Sequence, residues 1–98
     1  MRWMTYNEAA AWEPEARRLK VSKVARSRRG FMRKYKQARS PKAMWELPVE
    51  GRGGENWGQR RRGFIKRVLK QYKANPTYRR WLSLVMWAYW PGQPPADG

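Results

Sequence analysis

Two long segments of this chain are rich in cations and contain no acidic residue. Residues 17–42 include twelve Lys and Arg, and residues 60–80 include nine. Segments of this kind form either solvated helix faces or disordered arms. The spacing of the apolar residues between the cations therefore decides which of the two each segment becomes.

The first segment has the apolar spacing of a helix, and Ser22 is its predicted N-cap. Gly30 is the weak point, because glycine inside a helix costs about 1 kcal/mol relative to alanine. Two versions stay open: one helix passes through Gly30, or a short helix ends there and another begins at Phe31. The stripe consists of Val21, Val24, Phe31, Tyr35 and Ala38, with Arg28 at its remaining position.

The second segment has the stronger amphipathic pattern, and Asn75-Pro76 marks its predicted end. One face carries Phe64, Ile65, Val68, Leu69 and Tyr72. The other face carries Arg62, Lys66, Arg67, Lys70 and Lys73. The sequence therefore predicts a helix that buries one side and presents cations on the other.

The N-terminal residues predict two short helices. Thr5 or Asn7 is positioned to cap the first, over EAAAWE. Pro14 opens the second, which runs to Leu19, because proline is favoured in the first helical turn.

Two further helices are bounded by capping and stop signals. Ser40-Pro41 begins a short one, and Pro48 closes it. Thr77 caps the last one, which runs to about Trp90 before Pro91-Gly92 stops it. This last helix is apolar almost all round from residue 81 onward, so we expect the other helices to pack against it.

Together these patterns predict an all-α fold: a small helical domain of three main helices plus short N-terminal helices. The sequence shows no strand-like alternation of useful length. We expect a single domain over residues 1–92, with a flexible Gly-rich loop at 49–58. Residues 93–98 are expected to form a disordered tail.

The residue types that are missing exclude several kinds of chemistry. The chain contains neither Cys nor His, so disulfides and thiolate or imidazole metal sites are excluded. With no recognisable carboxylate pair, we expect a non-enzymatic protein with no cofactor and no metal site. The most apolar stretch, Trp81 to Trp90, is shorter than the about 20 residues that cross a bilayer. No signal or transit sequence is recognisable, and we expect an intracellular protein.

The net charge of +16 indicates a polyanionic partner, with nucleic acid, DNA or RNA, as the leading candidate. Arg-Arg-Gly-Phe occurs twice, at 28–31 and 61–64, and each copy continues into further cations. Two basic helix faces side by side would bind phosphates without regard to base sequence. The alternatives are a charge that only serves solubility, or exposed helix faces that happen to be arginine-rich. The predicted phosphate-binding residues are Arg26, Arg28, Arg29, Arg33, Lys34, Arg60, Arg61, Arg62, Lys66, Arg67 and Lys70.

The glycine-rich segment 49–58 is not predicted to bind a nucleotide. It lacks the Gly-Lys-Ser/Thr ending of a phosphate-cradling loop, and no predicted strand precedes it. Arg52-Gly53-Gly54 matches one RGG unit of RNA-binding segments, but a flexible connection is the preferred interpretation. Trp57 either stacks on a base or anchors the loop on the core, and the core is preferred.

Four tryptophans near chain ends or in short elements can meet a partner: Trp3, Trp12, Trp45 and Trp90. Trp and Arg together are typical of protein-binding hot spots. The alternative function is a small structural protein, a minor virion or assembly component, that binds acidic protein surfaces with Trp3, Trp12 and Trp45 as anchors. An inhibitor that clamps a host enzyme would use the same surface. Membrane binding ranks below these, because the core needs the apolar residues of both basic helices.

Three stretches of the chain resemble a family of short basic proteins of unknown function encoded by bacteriophages and other large DNA viruses. They are VARSRRGF at 24–31, WGQRRRGFIKR at 57–67 and PTYRRWLSLVMWAYWPG at 76–92, about half of the chain. The resemblance implies a protein of the virion or the host cytoplasm. Such a protein would line a capsid beside packaged DNA or fill a gap between capsid subunits. The resemblance assigns no activity and no binding residue.

Overall fold

The computed structural model describes residues 2–96, and their regular secondary structure is helical. The helices are α1 (Tyr6–Ala10), α2 (Glu13–Leu19), α3 (Phe31–Ala38), α4 (Pro41–Glu46), α5 (Trp57–Ala74) and α6 (Tyr78–Val85). Within the described range the β-type pairing is limited to an isolated antiparallel bridge between Pro48 and Asn56. The prediction of an all-α fold is confirmed.

Local capping signals identify the starts of α1, α4 and α6 correctly. Thr5 caps α1 in a capping box with Glu8. Ser40 caps α4, and Thr77 caps α6. Helix α5 ends at Ala74, directly before the predicted stop signal. Each of these signals acts on backbone groups only a few residues away, which is why the sequence alone reveals them.

The helix expected to begin at Ser22 is not formed. Ser22 has a left-handed φ of 55°, and residues 23–29 form turns and a bend before α3. The Arg26 guanidinium donates through Nε to the carbonyl oxygen of Val21 at 2.9 Å, which holds the turn. Val24, which the predicted stripe would bury, is 73% exposed.

Gly30 explains why the chain turns here. It is the extended N-cap of α3. A Cβ at this position would lie 2.0 Å from the carbonyl oxygen of Val24 and 2.6 Å from that of Ala25. Only glycine therefore allows the turn to pack this closely against the start of α3.

The last helix is shorter than expected, because α6 ends at Val85 rather than Trp90. The chain then turns, and Ala88 has a left-handed φ of 59°. The carbonyl oxygens of Trp87 and Ala88 accept hydrogen bonds from the Arg61 side chain. Even a helix that reached Trp90 would leave these two carbonyl groups without intrahelical donors, so Arg61 satisfies groups that the helix could not.

The core centres on α6 and the turn that follows it. Residues 81–88, apart from Ser83, are at most 5% exposed. The Trp87 ring stacks on Phe31 with a centroid distance of 4.7 Å and on Phe64 with one of 4.5 Å. The two phenylalanines of the repeated motif therefore share one partner, although the first begins α3 and the second lies inside α5.

The N-terminal segment is fixed to the core through Met4. The Met4 N–H donates to the carbonyl oxygen of Ala88 at 2.7 Å, and the Tyr35 hydroxyl donates to the Met4 carbonyl oxygen at 2.6 Å. The helices pack as neighbours in the pairs α1 with α3, α2 with α6, α3 with α4, α4 with α5 and α5 with α6.

The glycine-rich loop closes on itself through backbone hydrogen bonds. The Val49 N–H donates to the carbonyl oxygen of Glu55 at 2.8 Å. Gly51 and Gly54 have φ values of 74° and 81°, which favour glycine. The loop ends earlier than predicted, because α5 begins at Trp57.

The predicted disordered tail lies partly outside the described residues. Residues 93–96 contain no helix or strand, and residues 97 and 98 lie beyond the described range. No helix within residues 2–96 is both long and apolar enough to cross a membrane.

The two glycines of the repeated motif should respond differently to alanine. Gly30→Ala places a Cβ against backbone carbonyl groups and is expected to destabilise the fold by about 1–3 kcal/mol. Gly63→Ala is the matched control, because nothing lies within 4 Å of the added Cβ. It should stabilise α5 by about 0.5–1 kcal/mol. Urea unfolding measures both, and equal effects would contradict the position of Gly30 between the turn and α3.

Candidate nucleic-acid interface

Four cations from three separate parts of the chain meet around one cleft. Arg29 precedes α3 and Lys34 lies in it, Arg52 belongs to the glycine-rich loop, and Arg60 lies in α5. We call this site the cationic cleft, and its volume is about 220 Å³. The Glu50 carboxylate also lines it, so four positive charges face one negative charge.

The floor of the cationic cleft is aromatic and closely packed. Phe31, Trp57 and Trp87 line it, yet none of the three is more than 5% exposed. Their rings contact one another, with centroid distances of 4.7 Å for Phe31 with Trp87 and 6.4 Å for Trp57 with Trp87. These rings support the cations and leave no open face on which a base could stack.

The start of α3 opens into the cationic cleft. Gly30 and Phe31 both line the cleft, and no side chain caps this helix end. The partial positive charge at a helix N-terminus favours an anion. Lys34, one turn further along α3, adds a full positive charge to the same side.

Local structure also positions Arg60 and Arg52. Asn56 and Gln59 form a capping box at the start of α5, which fixes the first turn, where Arg60 lies. The bridge between Pro48 and Asn56 closes the glycine-rich loop. This closure brings Arg52 to the same cleft as the cations of α3 and α5.

Glu50 neutralises the cationic cleft only weakly. Its carboxylate oxygens lie 3.9 Å from Arg29 Nη1 and 3.9 Å from Lys34 Nζ. The side chains of Arg29 and Glu50 are 86% and 69% exposed. The exposed pair of Arg29 and Glu50 contributes about 0–1 kcal/mol, whereas the Lys34 side chain is 21% exposed. The cations of the cleft therefore stay available to a second anion.

The indole N–H of Trp57 is a buried donor without an acceptor. Trp57 is 5% exposed, and its Nε1 has no hydrogen-bond partner within residues 2–96. Leaving a buried donor unpaired costs about 1–3 kcal/mol, and such groups are rare in folded proteins. Trp57 lines the cationic cleft, although its Nε1 atom has almost no exposed surface, so an acceptor atom of a bound ligand would remove this cost only if the ring moved.

The structure brings part of the predicted phosphate-binding set together. Arg29, Lys34 and Arg60 line the cationic cleft. Arg26 is half-buried and holds the turn before α3. The remaining exposed members, which we call the surrounding cations, are Arg28, Arg33, Arg62, Lys66, Arg67 and Lys70.

Arg52 belongs to the cationic cleft and is absent from the predicted set. In the sequence, Arg52 stands out only as part of a single Arg-Gly-Gly unit, which is a weak signal for binding. A flexible connection would leave this side chain without a fixed position. The backbone bonds that close the loop supply that position, and they depend on residues 48–56 pairing across the turn.

The prediction that Arg61 contacts phosphate is wrong, because the structure buries this residue. Arg61 is 2% exposed, and its guanidinium donates to the carbonyl oxygens of Trp87 at 2.7 Å, Ala88 at 2.9 Å and Arg2 at 2.8 Å. Its Cζ lies 3.9 Å from the ring centre of Trp3. Burial lowers the pKa of Arg61 to about 10, so the group stays charged at neutral pH. Its charge is satisfied within the fold.

Two of the predicted partner anchors line a second cleft. Trp3 and Trp12 are half-buried, and Trp12 packs on Trp81 with a centroid distance of 4.9 Å. These two rings line a concave surface that could accept a side chain of a partner, and they do not protrude as anchors. We call this site the tryptophan cleft; its volume is about 480 Å³, and it is lined by Arg2, Trp3, Met4, Glu8, Trp12 and Trp90.

Trp45, the third predicted anchor, lies elsewhere. Its ring packs on Gly58 of α5, where an added Cβ would come within 2.2 Å of it. The Arg62 guanidinium lies 5.3 Å from the Trp45 ring centre. Trp45 is 37% exposed, so part of it still faces outward at the contact between α4 and α5.

Replacing Arg61 by lysine should destabilise the fold although the charge is kept. Lysine cannot reproduce the fork of donors, and unsatisfied buried carbonyl groups cost about 1–3 kcal/mol. Arg62→Lys is the matched control, because Arg62 is exposed, and it should change stability by less than about 0.5 kcal/mol. Urea unfolding compares them. Equal stabilities would contradict the structural role of Arg61.

Comparisons with known protein families, curated proteins and solved structures find no match to this chain. The resemblance to phage-encoded proteins therefore stays a prediction. The function of the two clefts is inferred from their own residues.

Proposed function

We propose that this protein binds nucleic acid, DNA or RNA, through its phosphates and without regard to base sequence. The cationic cleft is the centre of the interface, and the surrounding cations extend it over α3, α5 and the turn before α3. Phosphate contacts from Arg and Lys supply the affinity, and they carry no direct sequence information. The role is one of binding rather than catalysis.

The main support is that both acid-free segments contribute to the same cleft. Arg29 and Lys34 come from the first segment, and Arg60 comes from the second. Like charges repel, so collecting cations around one concave site costs stability in a chain of net charge +16. A polyanion that enters the cleft relieves the repulsion between these cations, and this relief favours its binding.

The acids of the chain neutralise few of its cations. Ion pairs in the part of the chain that the structure describes join Glu15 to Arg18, and Glu50 to Arg29 and Lys34. None of these pairs involves a cation of α5. The exposed basic face of α5 is therefore open to phosphates.

A second candidate function is a small structural protein, a minor virion or assembly component, that binds another protein. The tryptophan cleft favours it, because a concave site of about 480 Å³ lined by Trp3, Trp12 and Trp90 suits an apolar side chain. Trp90 is 47% exposed, so the ring is accessible. The resemblance to proteins of phages and large DNA viruses supports a virion setting for either function.

Affinity for nucleic acid should fall steeply with salt. If six to ten phosphates are contacted, the association constant should drop by about 10³–10⁵ between 50 and 200 mM salt. Fluorescence anisotropy with a labelled mixed-sequence oligonucleotide, single-stranded and then duplex, measures this change. An affinity independent of salt would reject the proposal.

Removing two cations of the cationic cleft should lower both the affinity and its salt dependence. Arg29→Gln/Arg60→Gln should bind about 100-fold more weakly, at roughly tenfold for each lost charge-assisted contact. The slope of log affinity against log salt should fall by about 2.

The control for this variant is Arg17→Gln/Lys42→Gln, which removes the same charge from exposed positions on α2 and α4. It should change the affinity by less than about threefold, as expected for a general field effect. If both double variants lose affinity equally, binding follows net charge and the cleft is not its centre.

The second candidate is tested with Trp90→Ala, which opens the most exposed side of the tryptophan cleft. The first proposal predicts unchanged affinity for nucleic acid, because Trp90 does not line the cationic cleft. Incorporation into particles from the native source is measured in parallel. Loss of incorporation with full nucleic-acid affinity would favour the structural function.

A further inference from the structure

We propose that the cationic cleft holds a phosphomonoester, the terminal phosphate of a nucleic-acid strand, in preference to an internal phosphodiester. This inference rests on the proposed function and names the part of the nucleic acid that enters the cleft. Four observations support it: the number of cations, the shape of the cleft, the unpaired Trp57 donor and the position of Glu50.

The charge of the cleft matches a dianion better than a monoanion. Arg29, Lys34, Arg52 and Arg60 face Glu50 alone, which leaves a charge of three in excess. An internal phosphodiester brings one negative charge and two free oxygens. A phosphomonoester brings about −1.5 to −2 and three strong acceptor oxygens. The monoester therefore engages more of the cations at once.

The shape of the cleft also favours a strand end. Its floor consists of the backbone at Gly30 and of rings that are at most 5% exposed, so no aromatic face is open to a base. What can enter is a phosphate with its sugar. A strand continues on two sides from an internal phosphate and on one side from a terminal phosphate, so a terminal phosphate needs less room in a site of about 220 Å³.

The Trp57 indole supplies a donor that no protein group uses. Its Nε1 is buried and has no acceptor within residues 2–96, and Trp57 belongs to the floor of the cleft. The uncapped start of α3 at Gly30 lies in the same floor. The helix start contributes partial positive charge, while its Gly30 and Met32 N–H groups already donate to the carbonyl oxygens of Ser27 and Ala25. A third free oxygen on the ligand would gain the indole N–H as a partner, in addition to the side-chain cations, once the ring moves to expose Nε1.

Glu50 marks where the anion lies. Its two oxygens reach toward Arg29 and Lys34 at 3.9 Å each, which is too long for a direct hydrogen bond. The residue belongs to the loop that contains Gly51 and Gly54, both with positive φ. A phosphate placed between Arg29 and Lys34 would take over these contacts, and the carboxylate would compete with it.

The experiment compares the ends of one short single strand at 150 mM salt. Four forms of the same sequence are labelled at the opposite end: 5′-phosphate, 5′-hydroxyl, 3′-phosphate and 3′-hydroxyl. Fluorescence anisotropy should give at least one phosphorylated form about tenfold tighter binding than its hydroxyl partner, the effect of one added charge-assisted bond. The preferred end identifies the strand polarity in the cleft.

Three variants test whether the preference for a phosphorylated strand end arises in the cationic cleft. Lys34→Met should reduce it to less than about twofold, whereas Lys42→Met, an exposed lysine of α4, should keep it. Glu50→Gln removes the competing carboxylate and should strengthen binding of the phosphorylated end by about threefold. Circular dichroism confirms that each variant is folded.

A measurement on the unmodified protein avoids any doubt about folding. The indole N–H signal of Trp57 in a ¹H–¹⁵N spectrum should shift when inorganic phosphate is added, and less with chloride at equal ionic strength. An unchanged Trp57 signal would overturn its role as a donor to the phosphate.

The outcomes separate this inference from the proposed function. Equal binding of phosphorylated and hydroxyl ends, with steep salt dependence, would overturn the terminal-phosphate site and leave general nucleic-acid binding intact. No binding of any form would overturn both. A preference that persists in Lys34→Met would show that the terminal phosphate binds outside the cationic cleft.

Discussion

The hydrogen bonds of one buried arginine hold the N-terminal segment against the turn that follows α6. Arg61 lies in α5, and its guanidinium donates to the carbonyl oxygen of Arg2 near the N-terminus and to those of Trp87 and Ala88 after α6. The same guanidinium covers one face of Trp3. A residue that looks like part of a basic surface is thus a structural centre.

The position of the cationic cleft follows from this arrangement. Because Arg61 fixes the turn after α6, Trp87 lies where Phe31 and Phe64 both stack on it. Those contacts hold the start of α3 near α5, and Arg29 and Arg60 therefore line one cleft. The buried cation thus positions the exposed ones. The two Arg-Arg-Gly-Phe copies share a phenylalanine contact with Trp87, although one copy precedes α3 and the other lies inside α5.

The sequence predicts features that depend on neighbouring residues and misses those that depend on distant ones. Ser40 and Thr77 cap helices as expected, because capping acts within one turn. The basic run predicts that Arg61 lies on the surface with its neighbours, although it is four and seven residues before the buried Ile65 and Val68, on the same face of α5. Three of the four cleft cations came from the predicted set. The fourth depends on a loop closure that no local signal shows.

Arg29, Lys34 and Arg60 of the two acid-free segments converge on the cationic cleft, and we propose that this cleft binds phosphate. The most direct test is to follow Arg side-chain and indole signals of the ¹⁵N-labelled protein by NMR while a mixed-sequence oligonucleotide is added. The largest shifts are expected at Arg29, Arg52, Arg60 and Trp57, with smaller ones at the surrounding cations. Shifts of equal size over the whole basic surface, or shifts confined to the tryptophan cleft, would contradict this proposal.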